Sequence, residues 1–532
     1  MQVAINSQTM TKYPIGIQTF SNIREEQYLY VDKTQYVYEL ANTKKYVFLS
    51  RPRRFGKSLL TSTFHAYFSG RKELFKGLAI EQLEKEWTQY PVLHFSLSTA
   101  KRGTVEDLDS VISTQLTWAE KDNGLTANDG DITTRMGDLV KNLYAKTHEQ
   151  VVILIDEYDA PLLTVLHDKE RLEAIRTELQ SFYSPLKDLD PYLRFVFITG
   201  ISKFSQLSIF SQLNNLYNIS MLPKYAALCG ITQQELEDNF QEGISGLARN
   251  LDCSKDEILQ KLRRQYDGYH FAAKSPGVYN PFSLLYAMDT EEIGNYWFAT
   301  GTPTFLVNMI KKFHTDITKI DGSKAEAEDF DAPSEDMHSI LPLFYQSGYI
   351  TIKGYDPRSQ RYTLGYPNEE VQVGMMRCLL PYYVAPDPIK AGNACWDISE
   401  GLLDDDIDRA LTAAQAFFAA IPYQSDTLKD APTSEGHFTA MLYVMFSFLN
   451  RYVYTQVRTA KGRMDILAMT GTAIYVMELK IDGSVDEALR QIDDKGYAIP
   501  YEADGRKVVK VGLNFSTNER TIKEWKVETQ KN

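Results

Sequence analysis

One stretch constrains this chain more than any other. The apolar run Tyr46-Val-Phe-Leu-Ser50 leads into Arg51-Pro-Arg-Arg-Phe-Gly56-Lys57-Ser58, and the residues that follow, Leu59–Phe68, have helical spacing. A buried strand, a short turn ending in Gly-Lys-Ser and the start of a helix together present backbone N–H groups to phosphate oxygens. In that setting Lys57 reaches the β- and γ-phosphates of a nucleoside triphosphate, and the Ser58 hydroxyl ligates Mg2+. Arg53 and Gly56 are counted with this nucleotide-binding set. One feature departs from the pattern GxxxxGK[ST]: Arg51 stands where the first glycine is expected.

A second element strengthens the reading. Val151-Val-Ile-Leu-Ile155 is a short apolar run ending in Asp156 and Glu157. In P-loop ATPases an aspartate at such a strand tip supports Mg2+ and a following glutamate polarises the attacking water. Two further runs, Val92–Ser96 and Arg194–Thr199, also read as buried strands, with helical stretches such as Leu172–Phe182 between them. This alternation predicts an α/β domain with a parallel sheet. Thr199 is placed as a γ-phosphate sensor, although a strand-ending turn at Thr199-Gly200 is an equally good reading. The expectation is that Lys57 stands within reach of the acidic tip of a neighbouring strand.

From about residue 230 the pattern turns helical, and Thr232 with Glu235 reads as a capping box. Residues 323–337 are acidic and rich in small side chains, a solvated linker or insertion. Residues 348–353 and 361–365 flank the turn-rich YDPRSQ and predict a hairpin. Four segments follow: a nucleotide-binding domain over 1–225, a mainly helical lid over 226–345, a hairpin-containing connector over 346–390, and an α/β domain over 391–532.

Near the C-terminus, GRMDILA (462–468) and AIYVMELK (473–480) read as adjacent strands. Side chains alternate along a strand, so Glu478 and Lys480 share a face, and a hairpin brings Asp465 beside them. Two carboxylates at that point suit Mg2+, which takes a few hard oxygens plus water and substrate phosphate, and a lysine adds positive charge. An E-x-K triplet alone is common on solvated strands.

The segments YLYVDKTQYVYEL, FLSRPRRFGKSLL, VVILIDEYDAP, FITGISKFSQLSIFSQLNNL and YDGYHF with VYNPFSLL resemble the bacterial AAA-ATPase-like family. That resemblance spans nearly the whole chain. It implies a variant P-loop ATPase domain joined to a C-terminal PD-(D/E)XK nuclease-like domain, and it makes RPRRFGKS the family's own form of the loop. It also implies that Glu435, opening the apolar stretch HFTAMLYVMFSFL, belongs with Asp465, Glu478 and Lys480, and that Gln491 and Tyr497 complete the site.

Composition excludes some alternatives. The formal charge of −13 argues against a general nucleic-acid coat, but residues 1–70 hold nine Lys/Arg against four Asp/Glu and residues 430–532 hold fourteen of each. No basic segment followed by an apolar one opens the chain, no run of about 18 apolar residues occurs, and the four cysteines are scattered. A cytoplasmic protein off the membrane is therefore expected, with ATP and Mg2+ as cofactors, DNA or RNA as a partner, and oligomer or protein partners unassigned. The expected function is an ATP-binding and ATP-hydrolysing protein coupled to a metal-dependent nuclease-like domain. The alternative is an NTP-dependent regulatory switch whose nuclease-like domain only binds.

Overall fold

The computed structural model describes residues 11–126, 128–166, 168–203, 215–300, 310, 313, 315, 317–331, 339–383, 388–419, 453–459 and 462–529. They fall into two compact units. One lies within Met1–Trp297 and Lys324–Asn368, the other within Phe298–Ser323 and Glu369–Asn532.

The first unit is built on a parallel sheet of β1 (Tyr46–Ser50), β2 (Val92–Ser96), β3 (Val151–Asp156), β4 (Leu193–Gly200) and β5 (Tyr217–Asn218), in the order β2-β3-β4-β1-β5. Every residue of β1 and β3 is buried, as helices packed on both faces of a parallel sheet require. The helices Val105–Asp122, Ile132–Thr147 and Lys169–Tyr183 put Leu108, Ile112, Leu139, Val140, Ile175 and Leu179 into the core against Ile153 and Ile155. The acidic strand β3 is not the direct neighbour of β1. Strand β4 lies between them, so Thr199 rather than Asp156 is adjacent to the strand that feeds the phosphate loop.

A helical layer follows the sheet in the same unit. Its helices Gln233–Asn239, Gln241–Asn250, Lys255–Tyr266 and Pro281–Thr290 share a core of Leu236, Ile244, Leu262, Tyr266 and Leu284. The expected capping box is present, with Thr232 and Glu235 exchanging hydrogen bonds. Strand β6 (Lys324–Ala325) and the hairpin β7 (Thr351–Asp356) and β8 (Arg361–Gly365) form a small sheet of their own.

The second unit has a mixed sheet of β9 (Val453–Thr459), β10 (Gly462–Met469), β11 (Ala473–Ile481), β12 (Lys507–Ser516) and β13 (Thr521–Thr529), in order β13-β12-β11-β10-β9. Strands β9, β10 and β11 are antiparallel neighbours. Strand β12 runs parallel to β11 after a crossover through the helix Val485–Lys495, which opens with a Ser484–Glu487 capping box. Among the described residues no helix is long and apolar enough to cross a membrane.

Candidate functional site

The parallel sheet brings four strand ends to one edge. Ser50 pairs with Gly200 and Leu49 with Thr199, while Ser96 pairs with Asp156. The loop leaving β1 turns through two left-handed residues, Arg54 at φ 67° and Gly56 at φ 85°. Gly56 then caps the helix Lys57–Phe68, whose first turn has no side-chain cap, so its N–H groups stay available to an anion. Open space surrounds the position a Cβ on Gly56 would take.

Lys57 is buried, and its ammonium donates to the carbonyls of Arg51 and Pro52, both at 3.0 Å. Burial pulls its pKa down, while Asp156 first and then Asp159 and Glu157 push it back up. Lys57 and the tip of β3 therefore face one another electrostatically, with Ser58 half-buried in the first helical turn and Arg53 exposed. Asp156 is 5% exposed and its Oδ1 accepts from the Glu157 amide at 3.0 Å. Glu157 has a left-handed backbone at φ 52°, uncommon for a residue with a Cβ. Burial raises its pKa first and Asp156 raises it further, against the pull of Lys57. Thr199 is wholly buried and its hydroxyl donates to the Leu49 carbonyl at 2.8 Å.

Asp159 has a larger structural part than its position two residues beyond the acidic pair suggests. It is 1% exposed, and its carboxylate accepts from the Ile201 amide, the Ser202 amide at 2.6 Å and the Ser202 hydroxyl at 2.5 Å. Tyr158 adds its amide to the Thr199 carbonyl and its hydroxyl to the Ser202 carbonyl. The exits of β3 and β4 are thus tied together at several points. The only signal in the sequence is the second aspartate of DEYD.

In the second unit Ile466 pairs with Met477, which puts Asp465 across from Glu478. Asp465 Oδ2 accepts from the Leu479 amide at 3.0 Å. Glu478 is 2% exposed; its Oε1 accepts from Lys480 Nζ at 3.3 Å and from Gln491 Nε2, and Lys480 Nζ also donates to Gln491 Oε1 at 2.7 Å. Asp465, Glu478 and Lys480 therefore converge, with Gln491 added from the helix Val485–Lys495, while Tyr497 is buried in the core beside that helix. Burial raises the Glu478 carboxyl well above its ordinary value, and Asp465 raises it further. Its Oε2 is buried without a hydrogen-bond partner. An orphaned carboxylate oxygen beside a second carboxylate fits a hard divalent cation. Glu435 lies outside the described residues, and among the described residues no group of three His, Cys, Asp or Glu side chains is placed to hold a metal.

Known proteins match both halves. Residues 14–210 match a family model described as Predicted AAA-ATPase, and residues 433–525 match the PD-(D/E)XK nuclease superfamily. A protein of Azotobacter chroococcum mcd 1, "Uncharacterized protein in vnfD 5'region", is 36% identical over 532 residues, covering 97% of this chain and 99% of the relative. Among solved structures, "Structure of Drosophila ORC bound to AT-rich DNA and Cdc6" matches 81% of this chain and 61% of that chain at 11% identity with a TM-score of 0.22, too low to bear on fold or function. The sheet order, the two matched segments and the full-length relative agree: the chain belongs to the AAA-ATPase-like family and has a domain of the PD-(D/E)XK nuclease superfamily in its C-terminal part.

Proposed function

We propose that this cytoplasmic protein binds and hydrolyses ATP in its first unit and uses Mg2+ in its second to act on DNA or RNA. The division into nucleotide-binding, lid, connector and nuclease-like parts at 1–225, 226–345, 346–390 and 391–532 belongs to this reading. The observation that carries it is the open left-handed turn before Lys57 at the same sheet edge as the β3 tip with Asp156 and Glu157. Gly56, Lys57 and Arg53 hold the phosphates, and Ser58 and Asp156 hold Mg2+. Glu157, its pKa raised by burial, takes the proton of the attacking water. Thr199, at the end of β4 beside the strand that feeds the loop, is the γ-phosphate sensor of this reading.

In the second unit Asp465 and Glu478 hold Mg2+, Lys480 adds positive charge beside the attacked phosphate, and Glu435 completes the acidic set. Mg2+ there supplies a Lewis acid to the phosphate oxygens. The support is the unpartnered Glu478 Oε2 next to Asp465. A test incubates the full chain with Mg2+ and single- and double-stranded DNA and RNA. Cleavage is expected from the wild type and lost in Glu478→Ala and Lys480→Ala; cleavage that persists in both variants removes the assigned site.

A second reading is an ATP-dependent switch whose nuclease-like unit binds without cutting. It is favoured by the hold that Lys480 and Gln491 together have on Glu478 Oε1, which closes one side of the carboxylate. It predicts nucleotide-dependent partner binding and no cleavage on any of these substrates.

A further inference from the structure

Arg51 occupies the place of the first glycine in the phosphate-loop pattern, yet its backbone is not left-handed; the left-handed positions are Arg54 and Gly56. Nothing in the backbone therefore demands glycine at 51. The side chain is 2% exposed, which is unusual for arginine. One terminal nitrogen donates to the Ser50 carbonyl at 2.9 Å and the Ser220 carbonyl at 2.7 Å, and the other donates to the Tyr225 carbonyl at 3.1 Å. The guanidinium lies 4.1 Å over the Phe271 ring, and its Nε is buried without a partner. Among the described residues no carboxylate forms an ion pair with it. A buried guanidinium that meets only carbonyls and a ring keeps its charge uncompensated.

The rest of the loop leans the same way. Gly348, at φ 88°, lets Pro52 close to 2.7 Å of where its Cβ would stand. The Trp297 indole donates to the Arg53 carbonyl at 3.3 Å, and Arg54 lies 4.6 Å over Phe282. Phe55 packs edge-on against Tyr269 at 4.8 Å and Phe271 at 5.5 Å. Each residue from 51 to 55 thus touches the 220–225 segment, residues between 269 and 297, or the turn before the hairpin. On the loop's other side the Lys57 ammonium holds the carbonyls of Arg51 and Pro52.

We propose that Arg51 is a positioning residue of the nucleotide site: it pins the phosphate loop to the 220–225 segment and to Phe271, and its buried charge is balanced by the polyphosphate that Lys57 binds. The proposal rests on the nucleotide reading above. The pinned loop is shaped before the ligand arrives, so binding costs less ordering. Because the positive charge is uncompensated, anion binding and Arg51 stabilise each other, and the coupling is reciprocal. Arg51→Gly brings the loop closer to the common pattern, and yet it weakens binding. It frees the loop, removes the Arg51 donor from the Ser220 carbonyl and leaves the Tyr225 carbonyl with the Leu228 amide alone. Arg51→Lys keeps the charge but cannot fork across three carbonyls or stack on Phe271.

The test titrates a fluorescent ATP analogue with Mg2+ into the full chain and measures melting with and without MgATP, for wild type, Arg51→Gly, Arg51→Lys and Lys57→Ala. The expected result is binding by the wild type and none by Lys57→Ala. Arg51→Gly loses at least about tenfold in affinity and most of the nucleotide-induced rise in Tm, and Arg51→Lys loses several-fold. A residue that only filled the core would lower the nucleotide-free Tm and leave both Kd and the nucleotide-induced rise at wild-type values. That outcome in Arg51→Gly overturns the proposal while the nucleotide reading stands. If Arg51→Gly does not fold, wild-type affinity in Arg51→Lys overturns it alone. Absence of binding in the wild type overturns both.

Discussion

Glu478 shows how one side chain's surroundings set a measurable property. Burial, then Asp465, holds its carboxyl above the ordinary carboxylate range. An acid raised on folding binds more protons in the folded than in the unfolded chain, so stability is retained at low pH and falls as pH rises through the folded value. Glu478→Gln removes that loss. Its metal-free Tm is expected to match the wild type at about pH 5 and exceed it at about pH 8, by the equivalent of about 1–3 kcal/mol; a gain as large at the lower pH would contradict the assignment. Asp159→Asn turns a carboxylate that accepts from Ile201 and Ser202 into a group with its own donors facing theirs. The expected cost is about 2 kcal/mol of stability. ATP turnover should fall about tenfold or more with Kd little changed, since misplacement of the strand exits acts on chemistry more than on binding; equal losses in both would make Asp159 purely structural. Lys57, Asp156, Asp465 and Glu478 were legible in the sequence because their residue types recur at fixed offsets from a strand. Arg51 and Asp159 were not. An arginine is ordinarily assigned to the surface, and the partners of Asp159 lie 42 and 43 residues further along the chain.

At the scale of elements, the four long strands of the first sheet were readable as apolar runs, because a parallel strand buried on both faces has no polar alternation to blur it. Their order was not readable, since spacing along the chain says nothing about which strand inserts between two others. The insertion of β4 between β1 and β3 places Gly200 against the β3 exit. A Cβ there would sit 2.6 Å from Tyr158 Cδ1 and closer still to Asp159 Oδ1. Gly200→Ala is therefore expected to lower stability by about 1–3 kcal/mol, read by denaturant unfolding. A neutral substitution would mean the two exits are not packed as described. The hairpin β10–β11 was readable for another reason: its polar positions interrupt otherwise apolar strands at Asp465, Glu478 and Lys480. The left-handed backbone at Glu157 left no mark in the sequence, because no residue type announces it.

At the scale of the molecule, the two compact units divide the proposed chemistry, so Glu478→Ala is expected to leave ATP turnover unchanged. The charge distribution bears on the nucleic-acid partner. With a formal charge of −13 overall and fourteen bases against fourteen acids in 430–532, few phosphates are neutralised on binding. For roughly two phosphate contacts, affinity for DNA or RNA falls only about tenfold between about 50 and 200 mM salt; a loss of about a thousandfold would contradict this. Every role proposed for the first unit depends on a triphosphate seated on the Lys57 turn. The most direct measurement is calorimetric titration of MgATP into the full chain and into Lys57→Ala, with circular dichroism to show that both are folded. Saturable binding by the wild type and none by the folded variant is the predicted result. Equal binding by the two, or no binding by the wild type, would contradict it.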